Sequence, residues 1–401
     1  MTEILKINKG LRFRILPTKE QEIQLNKFCG CSRFVYNWAL ARRKENYEEN
    51  KTKEKKHYLG RFEQSRELTA LKKMPEYDFL KEPPSDTLIY SLIDLELAFK
   101  AFFKQPEAGY PKFKNKSSRK SFAIQARMEK YAGSKSHFYI YKTSAKNHFI
   151  NLPKLPKLKI NLHRDIEGTI KSAVISKELN HWYIAFTVEK YQEIPQKNEL
   201  EPIGIDLGVA TNVTCSDGYV YQLPEKIRDI QKRVAVLQAR ASKKKKFSAN
   251  WYKANEKIAK LKNKEAKIRR HYHHEASREL VKFHSLIAME DLNIKNMSKS
   301  AKGDIEQPGK NVKAKSGLNR SILQQGWGSF GLMLEYKAKW YNSEVIKVAP
   351  KNTSRQCSSC GYTHKDNRKS QAIFNCLNCG TKLNADINAA INILNKATPN
   401  I

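Results

Sequence analysis

The stretch Cys357-Ser358-Ser359-Cys360, then fifteen residues, then Cys376-Leu377-Asn378-Cys379-Gly380, runs almost at once into Asn384-Ala385-Asp386-Ile387-Asn388-Ala389-Ala390. Two C-x2-C pairs at this separation have the spacing of a zinc ribbon, in which two tight turns bring four thiolates into a tetrahedron around Zn2+. The competing reading is four small core thiols or two disulfides. Core packing alone rarely produces such pairs, so Cys357, Cys360, Cys376 and Cys379 are the candidate ligands of one structural zinc. Seven residues past the last thiolate, Asp386 opens the amphipathic pattern Ile387, Ala390, Ile391, Leu394, which sets its carboxylate at a helix N-terminus beside the knuckle. Taken alone, that residue reads as an ordinary helix-start aspartate.

Two further carboxylates change the reading. Pro202-Ile203-Gly204-Ile205-Asp206-Leu207-Gly208-Val209 reads as a buried strand carrying an aspartate into a glycine turn, with more strands at Val213 to Ser216 and Tyr219 to Leu223. An unpaired charge is costly to bury, so this acid needs cations or hydrogen-bond donors close by. Leu286-Ile287-Ala288-Met289-Glu290-Asp291-Leu292 repeats the pattern 84 residues on, an apolar strand ending in a carboxylate. Acids at the ends of two strands and a third on a C-terminal helix are the arrangement by which RNase H-like folds hold two divalent metals about 4 Å apart. One ion activates water and the other stabilises the leaving oxygen of a phosphodiester. An all-oxygen donor set suits Mg2+. Asp206, Glu290 and Asp386 are therefore the candidate catalytic metal ligands.

At these residues the chain resembles the transposon-encoded TnpB proteins, RNA-guided DNA nucleases related to the type V CRISPR effectors. The likeness is carried by Gly204-Ile205-Asp206-Leu207-Gly208, Met289-Glu290-Asp291-Leu292-Asn293 and Asn384-Ala385-Asp386-Ile387-Asn388-Ala389-Ala390-Ile391-Asn392-Ile393, as first, second and third RuvC motifs. Asn367-Arg368-Lys369-Ser370-Gln371 and Cys376-x-x-Cys379-Gly380 match within the knuckle; Leu318-Asn319-Arg320-Ser321, Gly326-Trp327 and Leu334-Glu335-Tyr336-Lys337 match before it. The likeness runs from Leu11-Arg12-Phe13-Arg14 through Gly109-Tyr110-Pro111-Lys112-Phe113-Lys114 to the third motif, and is weakest between about residues 50 and 105.

The resemblance implies a multidomain α/β protein: an RNase H-like (RuvC) nuclease with an inserted four-cysteine zinc knuckle, a small wedge β-barrel and a helical recognition lobe. The implied boundaries are 1–15 and 121–195 for the wedge, 16–120 for the lobe, 196–353 and 381–401 for the nuclease, and 354–380 for the knuckle. It implies a guide RNA from the transposon end, a double-stranded DNA target, two Mg2+ ions and one Zn2+, and a monomer rather than a dimer. It also implies that Arg368 stands near the scissile phosphate, where a planar bidentate donor is apt; otherwise Arg368 is a surface arginine of the knuckle. In such proteins base pairing reads the target and the protein reads a short flanking duplex motif.

Composition points the same way with less specificity. With 75 Lys and Arg against 40 Asp and Glu, a net charge of +35 exceeds what solubility requires and attracts polyanions. A ribosomal or chromosome-binding protein would show a similar balance. No run of about 18 apolar residues exists, which excludes a membrane-spanning helix, and the amino end lacks a signal peptide's hydrophobic region. A cytoplasmic, nucleoid-associated prokaryotic protein is expected. Cys29, Cys31 and Cys215 are left as reduced core thiols.

Pattern shifts along the chain set the remaining organisation. Leu11 to Leu16 reads as a strand, Thr18 and Gln21 as a capping box, and helix follows to about Tyr47. Phe34, Tyr36 and Trp38 read as core before base-stacking. Residues 48–60 read as a mobile connector; a helix opens at Pro83-Pro84-Ser85-Asp86, with Leu88, Leu92, Leu95, Phe99 and Phe102 as its packing face. The acid-free run Pro111 to Lys120 reads as a phosphate-contacting segment, with Lys112, Lys114, Arg119 and Lys120 as its cations, or else as a solvated loop. Strands are expected at 137–141, 149–152, 158–162, 172–175 and 182–188, suggesting a small barrel, with a linker at 194–198. Two long helices follow, with Lys243, Lys244, Lys245 and Lys246 at their turn as further nucleic-acid contacts. His271, His273, His274 and His284 are passed over as ligands because thiolates and carboxylates already complete two sites. Met297 to Gly317 reads as a mobile flap or an ordinary loop.

An RNA-guided DNA endonuclease is the reading these observations support. The alternatives are a nuclease-inactive RNA-guided repressor, which an Ala or Asn at one of the three acids would have signalled, and an RNase H-like transposase.

Overall fold

The computed structural model describes residues 4–54, 57–105, 107–126, 139–144, 147–195 and 200–399. Two compact units divide the chain, one of residues 6–191 and the other of the remainder. Part of the expected strand at 137–141 and most of the expected linker at 194–198 lie outside the described residues.

In the first unit, β1 (Ile4–Leu16) leads into α1 (Lys19–Asn50). Thr18 Oγ1 accepts from the Gln21 backbone N–H at 3.2 Å and Gln21 Oε1 accepts from the Thr18 N–H at 3.0 Å, the reciprocal cap that the sequence predicts. α1 extends past Tyr47, and α2 (Arg61–Leu71) and a short 3-10 turn (Pro75–Lys81) follow, neither expected from the sequence. α3 (Ser85–Lys104) starts directly after Pro84, whose ring cannot continue a helix upstream. Leu88, Leu92 and Leu95 of α3 pack against Val35, Ala39 and Leu40 of α1 and Leu68 of α2, an all-apolar seam at helical spacing.

The strands β2 (Ser121–Gln125), β3 (Tyr139–Ser144), β4 (Asn147–Leu152), β5 (Leu155–Asn161), β6 (Thr169–Glu178) and β7 (His181–Glu193) join β1 in one sheet of order β2-β6-β7-β1-β5-β4-β3. β2 and β3 are its two ends, so the described residues form an open sheet where the sequence suggested a barrel, whose closure would need those ends paired. Alternate residues of the strands, with Phe28 of α1, make its core around Phe13, Phe122, Trp182 and Phe186.

The second unit holds β8 (Ile203–Asp206), β9 (Val213–Cys215), β10 (Val220–Tyr221), α4 (Glu225–Ser242), α5 (Ala249–Phe283), β11 (Leu286–Glu290), α6 (Ile294–Met297), α7 (Val312–Gln325), α8 (Trp327–Tyr341), β12 (Glu344–Val348), β13 (Ile373–Asn375), β14 (Lys382–Asn384) and α9 (Ala385–Ala397). Its main sheet has the order β10-β9-β8-β11-β12: β8 runs parallel to β11 and antiparallel to β9. Parallel strands flanked by helices are buried on both faces, which is why β8 and β11 read as unbroken apolar runs rather than alternations. The expected flap is shorter than Met297 to Gly317, because α7 begins at Val312. Lys315 Nζ donates to the Met297 carbonyl at 2.7 Å and Asn319 Nδ2 to that of Ser298 at 3.0 Å, tying the segment back to α7.

α9 lies against β8 so closely that a Cβ at Gly204 would stand 2.1 Å from the Ala390 carbonyl oxygen and 2.9 Å from Leu394 Cβ. Neither neighbour is the free end of a flexible side chain. Gly204→Ala is therefore expected to cost about 1–3 kcal/mol by forcing strand and helix apart, read as a melting temperature lowered by several degrees. An unchanged melting temperature would mean that the contact yields freely.

Candidate functional site

Asp206 is the last residue of β8 and Glu290 the last of β11, one step beyond the paired Ile205 and Met289. Two acids 84 residues apart in sequence thus stand side by side at the carboxyl ends of parallel neighbours. Asp386 joins them from the first turn of α9, the helix packed across both strands. Asn384, not Asp386, caps that helix: its Oδ1 accepts from the Asp386 N–H at 2.9 Å and the Ile387 N–H at 3.3 Å. The Asp386 carboxylate is thus not spent on the cap and pairs instead with Arg368.

Electrostatics couples Asp206 to the other two acids. Burial, then the charges of Glu290 and Asp386, push the Asp206 carboxyl up to about 7, against the opposing pull of Arg368. Burial also raises the Glu290 carboxyl, offset by the Thr353 hydroxyl, which donates to Glu290 Oε1 at 2.5 Å, and by the charge of Lys396. Arg368 Nη2 donates to Asp386 Oδ1 at 2.8 Å and to the Gln371 carbonyl at 3.0 Å. Three carboxylates repel one another, and each takes the donor within reach. They share one neighbourhood without converging on a single point. Among the described residues the four cysteines are the one set of three or more His, Cys, Asp or Glu side chains gathered closely enough to share an ion.

The ligand atoms of those four cysteines lie within 4.8 Å of one another, with Cys357 and Cys379 Sγ 3.7 Å apart and Cys360 and Cys376 Sγ 3.6 Å apart. A tetrahedron with Zn–S bonds of about 2.3 Å has edges of about 3.8 Å, so the sulfur positions fit zinc. Each C-x2-C turn is closed by a backbone bond, Gly361 N–H to the Cys357 carbonyl at 3.0 Å and Gly380 N–H to that of Cys376 at 3.1 Å, and both glycines take φ of +74°. The Thr381 hydroxyl at 3.0 Å, then that residue's backbone N–H, holds the Cys379 thiol down to about 6, toward the thiolate that a metal requires.

The basic residues divide. Lys112, Arg119 and Lys120 are exposed, as are Lys243, Lys244, Lys245 and Lys246 in the turn between α4 and α5. Lys114, expected with them as a phosphate-contacting cation, is partly buried. Its Nζ lies 3.8 Å over the Tyr36 ring and 3.9 Å from Asp94, burial lowers its pKa, and its backbone is held at both N–H and carbonyl by the Asn37 side chain. It packs against α1 as well as carrying charge. His273 is buried beside Phe330, its ring centroid 5.3 Å away, and burial pushes it down to about 4, while His271 faces Glu275 at 3.4 Å.

Several residues that build the site went unassigned in the sequence reading. Asn388 Nδ2 donates to the Gln356 carbonyl at 2.8 Å while its Oδ1 accepts from the Ser358 N–H at 3.0 Å; Asn392 Nδ2 donates to the carbonyls of Thr353 and Gln356. Spaced i, i+4, these two stitch α9 to the chain entering the knuckle. Two buried asparagines spaced among Ala389, Ala390 and Ile393 on the inner face of α9 were the available signal, since a buried amide demands partners. Asn367 braces the knuckle likewise, donating to the carbonyls of Arg355 and Tyr362 and accepting from the Leu377 N–H.

Residues 185–301 match the family described as "Probable transposase", residues 327–393 "Cas12f1-like, TNB domain", and residues 1–52 "Helix-turn-helix domain". In the last span the described residues form β1 and the uninterrupted α1. Among solved structures, the "Cryo-EM structure of the Cas12f1-sgRNA-target DNA complex" aligns with a TM-score of 0.58 at 16% identity, over 98% of this chain and 99% of that one, a likeness of fold. The "Putative RNA-guided DNA endonuclease" of Streptomyces pristinaespiralis is 28% identical over 97% of this chain and 89% of its own length. The "Putative RNA-guided DNA endonuclease InsQ" of Escherichia coli (strain K12) is 38% identical over 97% of this chain and 92% of its own length. Identity at that level over nearly the full length of both, with the strand-end acids and the four-thiol cluster in place, establishes that the chain belongs to the TnpB/IS605 family.

Proposed function

We propose that the protein is an RNA-guided DNA endonuclease of a transposon, cutting target DNA beside a short flanking motif. The observation that carries the chemistry is that Asp206, Glu290 and Asp386 share one neighbourhood at the strand ends, where burial and then the charges of the other two raise the Asp206 carboxyl. In this reading, residues 196–353 and 381–401 form the RuvC nuclease, 354–380 the nucleic-acid-binding knuckle, 1–15 and 121–195 the wedge, and 16–120 the recognition lobe. The five-stranded sheet, with its first strand central and its second and third antiparallel beside it, supports the RNase H-like assignment. Asp206, Glu290 and Asp386 would hold the Mg2+ ions, which when bound supply an activated water and a stabilised leaving oxygen. Arg368, now paired with Asp386, is within one side chain's swing of a phosphate held there and offers it a bidentate donor. Cys357, Cys360, Cys376 and Cys379 hold the knuckle and so aim Arg368. Guide RNA and double-stranded DNA are the partners, and a monomer the acting species.

The test is to purify the protein from its native locus, sequence the RNA that accompanies it, and offer DNA matching that RNA. Expected are a discrete RNA, Mg2+-dependent cutting of matched DNA only, and affinity that falls steeply with salt. Neutralising Lys112, Arg119 and Lys120 should flatten that salt dependence. Strand joining in place of cutting would replace this reading with a transposase; guided binding without cutting would replace it with a repressor.

A further inference from the structure

We propose that an aromatic cleft between the end of α1 and the last turns of α3 holds unpaired bases of the guide RNA, a placement that rests on the RNA-guided reading above. The packing face of α3 does not end where its cover ends. Leu88, Leu92 and Leu95 are sealed by α1 and α2, but Phe99 and Phe102 beyond them are only partly covered, and Phe103 is 78% exposed. A cleft of about 940 Å3 opens there, toward the top of the range of about 300–1,000 Å3 for ligand sites and roomy enough for more than one ring.

Its walls suit a flat, partly polar guest. The Phe99 and Phe103 rings lie 6.3 Å apart and nearly parallel, at 24°, and Tyr110 stands edge-on to Phe99 at 5.6 Å and to Phe102 at 5.3 Å. Cations face the same rings: Arg43 Cζ is 5.1 Å from the Phe99 centroid and Lys44 Nζ 5.5 Å from that of Tyr110. Arg43 Nε donates to Gln64 Oε1 at 2.8 Å, but its Nη2 is buried with no hydrogen-bond partner among the described residues. A buried donor left unpaired is costly, and a base carbonyl or ring nitrogen stacked on the neighbouring phenyl would satisfy it. Stacking faces with adjacent basic groups are the recurrent means of holding single strands, since every base presents a π face.

The rim favours RNA. Tyr47 and Tyr58 line it with hydroxyls, which match a 2′-hydroxyl that both donates and accepts, while Asn46 Oδ1 already accepts from the Leu59 N–H at 3.0 Å and Glu48 faces Lys51 at 2.7 Å. Duplex DNA keeps its bases stacked inside and offers none to the cleft. A second copy of this chain is disfavoured because each copy carries a net charge of +35.

Full-length protein freed of nucleic acid is titrated with an unstructured RNA of roughly ten nucleotides carrying 2-aminopurine, and with DNA of the same sequence. The parent should bind the RNA more tightly and quench its fluorescence. Phe103→Ala combined with Tyr110→Ala should weaken RNA binding about tenfold or more and abolish quenching, while Phe103→Trp retains both. Because no phosphate contact is lost, the slope of log affinity against log salt should stay at the parental value. Parental affinity and quenching in the double variant, with an unchanged melting temperature, would overturn the proposal. So would equal binding of DNA, or a dimer in sedimentation that the double variant loses while still binding RNA. Failure of the RNA-guided reading is a separate outcome: parental protein that stacks the oligonucleotide yet carries no discrete RNA and cuts no matched DNA.

Discussion

Replacing any one of Asp206, Glu290 and Asp386 by Ala is expected to lower Mg2+-dependent cleavage by on the order of a thousandfold or more, and replacing two should cost little beyond replacing one. The non-additivity follows from the three groups acting on one metal site, and burial, then the charges of Glu290 and Asp386, raise the Asp206 carboxyl, so loss of either neighbour changes the state of Asp206. Guided DNA binding should survive, because β8, β11 and α9 are held by apolar packing that does not involve the carboxylates. Asp386→Ala also strips Arg368 of its partner at 2.8 Å, so Asp386→Asn is the cleaner variant, keeping an acceptor while removing the charge. Single-turnover cleavage of matched DNA at saturating protein is the measurement. A Glu290→Ala protein that cuts at near the parental rate would remove the two-metal mechanism.

Denying the four cysteines a metal should lower both stability and cleavage, the latter by less than loss of a carboxylate. Metal analysis is expected to give about one zinc per chain. Cys376→Ser, or exhaustive chelation, should lower the melting temperature of the unit of residues 192–401 by roughly 5–10 °C, equivalent to about 2–3 kcal/mol, and should lower cleavage at least about tenfold. The route from thiolate to carboxylate is short. β14 leaves the knuckle and ends at Asn384, the cap of α9, while Ser358, within the first C-x2-C turn, donates to Asn388 of the same helix at 3.0 Å. Loosening the four sulfurs thus shifts the frame that carries both Asp386 and Arg368. Zinc-free protein with full activity and parental melting would reduce the four cysteines to packing residues.

What the sequence by itself determined is what short-range covalent geometry dictates. A C-x2-C turn brings its two sulfurs together within four residues, so two such turns announce a four-thiolate site before any fold is known. The cap at Thr18, the apolar runs that end at Asp206 and Glu290, and the helical period of α9 are equally local. Only the tertiary structure decided which of these meet. The strand order places β8 beside β11, and the fold then lays Thr353 on Glu290 and Arg368 on Asp386. It also showed that Lys114 packs against Tyr36 within a run that reads as phosphate-contacting, and that Phe99 and Phe103 carry the face of α3 past its cover. The period of a helix fixes which side chains share a face, because backbone geometry alone sets it. Where a covering element stops, and which distant donor reaches a buried acid, depends on long-range packing that no local pattern records.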